Sequence, residues 1–475
     1  MRSVHAAGQT FLSGVQPFSR TGLSPRPPAV SVSRHLIYRV FPRDLELEFK
    51  SRLSALMPSP ILPNLCRTLP QGRLLSGLLL ATTAFSLAAA PTEIGGFSTE
   101  RLRRLDAYAD RLVADHKYSG LVVVVTRDGR PVYSKTAGTS NDAGRPIRTD
   151  DIFAIASLSK IVTSVAVLML VEEGRVGLNN PVSDYLPGFA STPVAVTGPD
   201  GTVRLMPQAR PITVRHLLTH TSGLVSFDPP AGLPKSETPT RTARSFTTLA
   251  DAVEYLTHVP LRHQPGEAWT YGVSTDVLGR VIEVASGQPF ETFLDQRIFR
   301  PLRMKDTAFE VPAAQHSRQV DRDERQPDGS QRRIPSPARM QPWPSGAGGL
   351  FSTPTDYIRF AHLLLNGGAI DGVRLLSPKT VELMRMDQLN GLAKPTKIYP
   401  VSDGFGLGVE IRTDVARSGW LGSQGTFGWN GATTAYCAID PRERLVMMIW
   451  AQHTPNAEFG LYEQFNTLVY QAQVR

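Results

Sequence analysis

Ser157 and Lys160 stand three residues apart at the head of an apolar run, Phe153-Ala-Ile-Ala-Ser157-Leu-Ser-Lys160, which continues from Ile161 to Val171. On a helix that spacing puts both side chains on one face, one turn apart. Lys160 carries the only charge between Ser159 and Val171, and burial disfavours the ammonium form of a lysine. Ser157 falls at or near the helix N-terminus, where free N–H groups and the macrodipole favour developing negative charge. A hydroxyl able to become a nucleophile thus lies beside an amine able to take its proton. The same residues also fit a plainer reading, a serine N-cap followed by a lysine snorkelling out of an apolar helix. Of the nine lysines, only Lys160 has a serine three positions before it.

Two further stretches could complete a site. Pro265-Gly-Glu-Ala-Trp-Thr-Tyr271-Gly-Val273 leads into a helix expected at Ser274–Ser286. A phenol on a turn at a helix entrance is held rigidly yet can point into a cleft, although an ordinary aromatic anchor gives the same pattern. Gly425-Thr-Phe-Gly-Trp429-Asn430-Gly431-Ala432 leads into a strand expected from Thr433. A glycine-rich approach to a strand lets the backbone come close to a ligand, and it also suits a plain turn.

Taken together, Ser157-Leu-Ser-Lys160, Tyr271 and Trp429-Asn430-Gly431 resemble the three-motif signature of the serine β-lactamase and penicillin-binding-protein superfamily. Their order and spacing fit the class C branch and its esterase relatives. Leu217-Leu-Thr-His-Thr-Ser-Gly223, Pro265-Gly266, Ser345-Gly-Ala-Gly-Gly349 and Asp440-Pro441 are similar to supporting stretches of that family. The likeness covers residues 98–470. It implies an α/β (α+β) fold of the β-lactamase/transpeptidase kind, with an antiparallel sheet built from both chain ends, flanking helices and a mainly helical subdomain.

The sequence departs from the β-lactamase pattern twice. The second motif is usually Tyr-x-Asn and here ends in Val273; the third usually begins with Lys or His and here begins with Trp429. The missing lysine and asparagine would hold the carboxylate and amide of a β-lactam. Trp429 in place of a cation favours a neutral, apolar substrate, so the motifs look more like those of β-lactamase-like carboxylesterases. The implied chemistry is acyl transfer to Ser157 Oγ, with Lys160 and Tyr271 sharing the general-base role in an order left open. The backbone N–H groups of Ser157 and Ala432 would form the oxyanion hole, where each donor is typically worth about 3 kcal/mol. Val273, Trp429, Asn430 and Gly431 would line the substrate site. Three readings follow: an ester hydrolase, an enzyme acting on β-lactams or D-amino-acid peptides, and a catalytically inactive binding protein on the same fold.

The positioning elements read as strands at both ends with helices between. A helix capped by Ser98 or Thr99 carries Leu102, Leu105, Ala109 and Leu112 at helical spacing; Leu121–Thr126 and Pro131–Thr136 form a hairpin. The Ser157–Lys160 helix stops near Gly174. Residues 194–206 suggest a hairpin around Pro199-Asp-Gly201, and Val214–Gly223 a short helix ended by glycine. Residues 225–248 and 311–341 read as long loops. Helices are expected at Leu249–Thr257, Phe290–Phe299 and Thr355–Leu365, strands at Phe405–Ile411, Thr433–Ile439 and Leu445–Ala451, and a last helix at Glu458–Gln471. The sheet subdomain would span 98–175 and 342–475, with the helical insertion at 176–341.

Composition narrows the class. The chain is 41% hydrophobic and 20% charged, enough for a large core. Residues 1–90 hold ten Lys+Arg against three Asp+Glu, while the remainder holds 41 against 39. The net charge of +9 therefore sits mostly in the leader and does not indicate nucleic acid. Arg73, the apolar run Leu74–Leu87 and Ala88-Ala-Ala90 form a signal-peptide pattern, too short for a membrane span. With Met57 as start, 57–90 would be the signal peptide and 1–56 a spurious or disordered extension; the alternative is an organelle transit segment. Residues 91–475 would then be the exported periplasmic or secreted enzyme domain. Cys66 lies in the leader and Cys437 in the body, so no internal disulfide is expected. His216 and His220 are four apart but lack the Glu of a zinc-protease helix, which favours packing or capping over metal. No cofactor is implied, and the expected partner is a small ester or amide substrate.

Overall fold

The computed structural model describes residues 93–233, 241–389, 391–392 and 403–475. These lie within one compact unit, Ala88–Arg475. The leader, its cleavage site, Met57 and Cys66 fall outside the described residues, as does part of the 225–248 loop.

The elements that build the site are, in chain order, α1 (Thr99–Ala114), β1 (Gly120–Arg127), β2 (Arg130–Gly138), α2 (Ser159–Glu172), α3 (Ser274–Ser286), α4 (Pro354–Leu365), β3 (Asp403–Phe405), β4 (Glu410–Arg412), β5 (Phe427–Gly431), β6 (Ala435–Asp440), β7 (Leu445–Ala451) and α5 (Leu461–Tyr470). Seven strands form one sheet in the order β3-β4-β5-β6-β7-β1-β2, with every neighbouring pair antiparallel. The two ends of the chain thus meet in one sheet, where β7 pairs with β1.

Why β7 reads as unbroken apolar sequence is explained by its position. It lies between β6 and β1, and every residue from Leu445 to Ala451 is buried. A strand covered on both faces loses the polar alternation of a half-exposed one. Side chains alternate between two cores. Val123, Val125, Met447 and Ile449 pack with Leu105 of α1 and Phe465 of α5. Val122, Met448 and Trp450 face the other way, onto α2 and α4. α1 starts at the Ser98 cap, whose side chain accepts from Arg101 N–H, and buries Leu102, Leu105, Tyr108, Ala109 and Leu112. α2 is enclosed on all sides, with every residue from Ser159 to Leu170 buried; its low amphipathicity is the signature of a central helix.

Several expectations are corrected. The run Phe405–Ile411 is two short strands, β3 and β4, separated by a turn. At Gly408, with φ of +83°, a Cβ would come within 1.9 Å of Ser164 Oγ on α2, so the chain must turn there. Trp429-Asn430-Gly431 lies within a strand, β5, rather than on an approach to one. The 311–341 segment is no simple loop: Arg322–Arg325 and Gln331–Ile334 pair as a hairpin and extend to His453–Thr454. Its strands show no apolar alternation because ion pairs line them, among them Arg333–Asp323 at 3.2 Å and Arg332–Glu324 at 3.1 Å. The helix expected over Val214–Gly223 stops at Leu218, because His220 adopts a φ of +56°. The helix at Phe290 becomes a π-turn over Asp295–Phe299. No helix among the described residues is long and apolar enough to cross a membrane.

Candidate active site

Between Asp151 and Leu170 every residue is buried except Ser157. Ser157 sits in a 3-10 turn, Ala156–Leu158, immediately before α2, and does not cap the helix. Ala156 takes a φ of +45°, a conformation that costs a non-glycine residue on the order of 1 kcal/mol. The turn is tied down around it. Ser159 Oγ donates to Ala156 O at 2.6 Å and accepts from Leu350 N–H at 3.1 Å. Tyr357 Oη donates to Leu158 O at 3.1 Å.

One helical turn on, Lys160 is 5% exposed, and its Nζ lies 3.2 Å from Ser157 Oγ. The same Nζ donates to Ala347 O at 2.6 Å and rests 4.6 Å from the centre of the Tyr271 ring. The lysine is thus fixed from three sides beneath the serine. Asp276, on α3, holds the Ala347 carbonyl in place. Its Oδ1 accepts from Ser345 Oγ at 2.7 Å and from Ala347 N–H at 2.9 Å. Burial pushes the Asp276 carboxyl up from the usual range, opposed by those two donors and by Lys160. Asp276 escaped the sequence reading because its partners lie about 70 residues downstream.

Tyr271 stands at the entrance of α3. Trp429 Nε1 donates to Tyr271 Oη at 3.0 Å, with the ring centres 5.2 Å apart. His220 stacks obliquely on the other side of Tyr271 at 4.7 Å. Burial and nearby Lys160 press the His220 pKa well below its ordinary value, so the ring is neutral at physiological pH. His216 caps its short helix instead: Nδ1 accepts from Thr213 N–H at 3.2 Å.

β5 brings the third stretch against the serine turn. At Gly431 a Cβ would stand 2.3 Å from Ile155 O, so only glycine allows the strand so close. A cavity of about 420 Å³ opens here, lined by Ser157, Tyr271, Trp429, Asn430 and Ala432. Val273 and Gly431 are not among its lining residues; Val273 packs against the apolar core. The far wall was not anticipated from sequence. Asn456 Nδ2 donates to Asn430 Oδ1 at 2.6 Å, and Tyr462 stacks on Tyr436 at 4.5 Å. Arg412, a lining cation, lies 3.6 Å from Asp403 and 4.3 Å from the Trp420 ring centre. Its charge is therefore matched within the protein.

The arrangement can support attack by a serine oxygen on a carbonyl, with an amine and a phenol in reach of the moving proton. Known proteins resemble this chain in sequence and in fold. Esterase EstB of Burkholderia gladioli is 31% identical over 384 residues, covering 74% of this chain and 88% of the relative. Protein Rv1367c of Mycobacterium tuberculosis is 35% identical over 335 residues, covering 66% and 80%. Among solved structures, simvastatin synthase LovD from Aspergillus terreus shares the fold with a TM-score of 0.67, at 24% identity and with 78% and 98% of the two chains covered. The Beta-lactamase family model matches residues 105–471, so this chain belongs to the Beta-lactamase family and carries its fold of mixed helices around an antiparallel sheet.

Proposed function

We propose that this protein hydrolyses small carboxylic esters through an acyl-enzyme on Ser157. The observation that carries the reading is Trp429. Where a β-lactam-recognising site needs a cation, this strand presents an indole whose N–H is already spent on Tyr271 Oη at 3.0 Å. An apolar, hydrogen-bonded wall suits a neutral acyl or alkoxy group, and the one lining cation among the described residues, Arg412, is already matched by Asp403.

Ser157 Oγ attacks the ester carbonyl while its proton passes to Lys160 or to Tyr271. The N–H groups of Ser157 and Ala432 receive the oxyanion. The alcohol leaves as it takes up that proton, and water cleaves the acyl-enzyme by the reverse relay. Lys160 is held within 3.2 Å of Oγ, so the transfer needs no rearrangement. The pattern from Arg73 to Ala90 supports export, with residues 91–475 as the working enzyme.

The test is turnover of a short-chain p-nitrophenyl ester and of a chromogenic cephalosporin by the wild type and Ser157→Ala. Ester hydrolysis that disappears in the variant, with little cephalosporin turnover, supports the proposal. Dominant cephalosporin turnover would assign the site to β-lactams or D-amino-acid peptides instead. No difference between wild type and variant would favour a binding protein.

A further inference from the structure

A second cavity, of about 550 Å³, adjoins the catalytic one. The two share a wall: Trp420 and Glu463 line both. Trp420 sits on a short loop between Gly419, in the left-handed region, and Leu421, an exposed apolar side chain. Its half-buried side chain borders both spaces. Beyond it the second cavity is lined by Tyr108 of α1 and by Leu468 of α5, with Arg111 and Glu463 supplying one charge of each sign.

Tyr108 supplies an independent sign of a ligand. The residue is 5% exposed, yet its hydroxyl has no hydrogen-bond partner among the described residues. A buried hydroxyl left unpaired costs stability, so such groups are rare and call for an explanation. Burial and Glu463 raise its pKa while Arg111 opposes them, so the hydroxyl sits among the cavity's own charged residues and remains a donor.

We propose that the second cavity is a substrate subsite, taking the far end of an elongated, uncharged ester whose reacting carbonyl lies at Ser157. This rests on the hydrolase reading above. The chain of the substrate crosses the Trp420 indole, and a carbonyl near its far end accepts from Tyr108 Oη, which is closed to solvent in this structure and reaches the ligand by a shift of its side chain toward the cavity. The opposed charges of Arg111 and Glu463 leave no net field to select an ion, which is why the substrate class is neutral.

The full chain is assayed with p-nitrophenyl acetate and with two p-nitrophenyl esters of equal length, one carrying an amide near its far end and one all-carbon. Thr467→Trp and, independently, Gln464→Trp plug the second cavity from α5. Each lowers kcat/KM for both long esters at least tenfold and leaves acetate within about twofold. Tyr108→Phe lowers kcat/KM for the amide-bearing ester alone, by about fivefold, the effect of one neutral hydrogen bond, and does not lower the melting temperature. Equal losses on acetate and long esters, or no loss on either, overturn the subsite. A Tyr108→Phe variant that treats the two long esters alike overturns the polar contact. If the wild type hydrolyses none of the three, the hydrolase reading fails. Calorimetric titration of Ser157→Ala with the amide-bearing ester then decides the subsite: binding at least tenfold weaker with Thr467→Trp added supports it, and unchanged affinity overturns it.

Discussion

Replacing Asp276 by alanine tests whether a residue outside the reacting atoms sets the geometry beneath Ser157. Asp276 Oδ1 accepts from Ser345 Oγ at 2.7 Å and Ala347 N–H at 2.9 Å, and Ala347 O in turn accepts from Lys160 Nζ at 2.6 Å. In Asp276→Ala both donors lose their acceptor in a buried setting. Each unsatisfied group costs about 1–3 kcal/mol, part of which is offset by removing a buried carboxyl. The net destabilisation should be about 2–4 kcal/mol. The Ala347 carbonyl is then free to shift, and loss of one hydrogen bond to a charged or reacting amine, about 1.5–3 kcal/mol, corresponds to roughly 10- to 150-fold in kcat/KM. Asp276→Asn keeps an oxygen at Oδ1 and should recover at least half of the lost stability and more than half of the lost activity on the free-energy scale. Urea unfolding and ester turnover of the three proteins measure both effects. A destabilisation under 1 kcal/mol with unchanged kcat/KM in Asp276→Ala would refute the idea that this carboxylate positions Lys160 through the 345–349 loop.

Other perturbations probe separate links. Trp429→Phe removes the N–H that meets Tyr271 Oη at 3.0 Å while keeping an aromatic wall, so kcat should fall about 3- to 30-fold with the melting temperature changed by only a few degrees. Gly431→Ala would place a Cβ 2.3 Å from Ile155 O, forcing β5 away from the serine turn; activity should drop more than tenfold and stability by about 1–3 kcal/mol. The pKa of His216 is lowered to about 4 by burial, Arg210, Arg215 and His263. Because the folded value lies below the unfolded one, the stability tied to its neutral form is complete above pH 6.5 and is lost as pH falls towards about 4. The stability of the wild type to urea should therefore fall more between these limits than that of His216→Asn, and parallel pH profiles would show that His216 does not contribute to the dependence.

Much of the site could be read from sequence because its chemistry is local. Ser157 and Lys160 are one helical turn apart, and a lone lysine in an otherwise apolar central helix is visible without any tertiary information. Tyr271 declared itself by standing before a clearly bounded helix. The strand that holds Trp429 was harder to see, because Gly425, Gly428 and Gly431 are poor strand formers. Gly431 is there for close approach to Ile155, a contact between residues far apart in the chain. Asp276 looks like an ordinary first-turn acid of α3, where the helix dipole alone would place one. Only the fold reveals that it faces Ser345 and Ala347. Trp420, Asn456 and Tyr462 belong to the cavity through tertiary packing and carry no local pattern. The Arg322–Ile334 hairpin hid for a related reason: its strands are stabilised by ion pairs and by pairing to His453–Thr454, so the two-residue apolar period is absent.

A covalent acyl-enzyme on Ser157 can be seen by mass spectrometry of trapped protein. The full chain is incubated with an activated ester, quenched in acid within the first turnovers and digested. A single acyl adduct is expected, on the peptide that contains Ser157, absent from Ser157→Ala and slow to form in Lys160→Ala. An adduct on another residue, or rapid ester turnover that persists in Ser157→Ala, would contradict it.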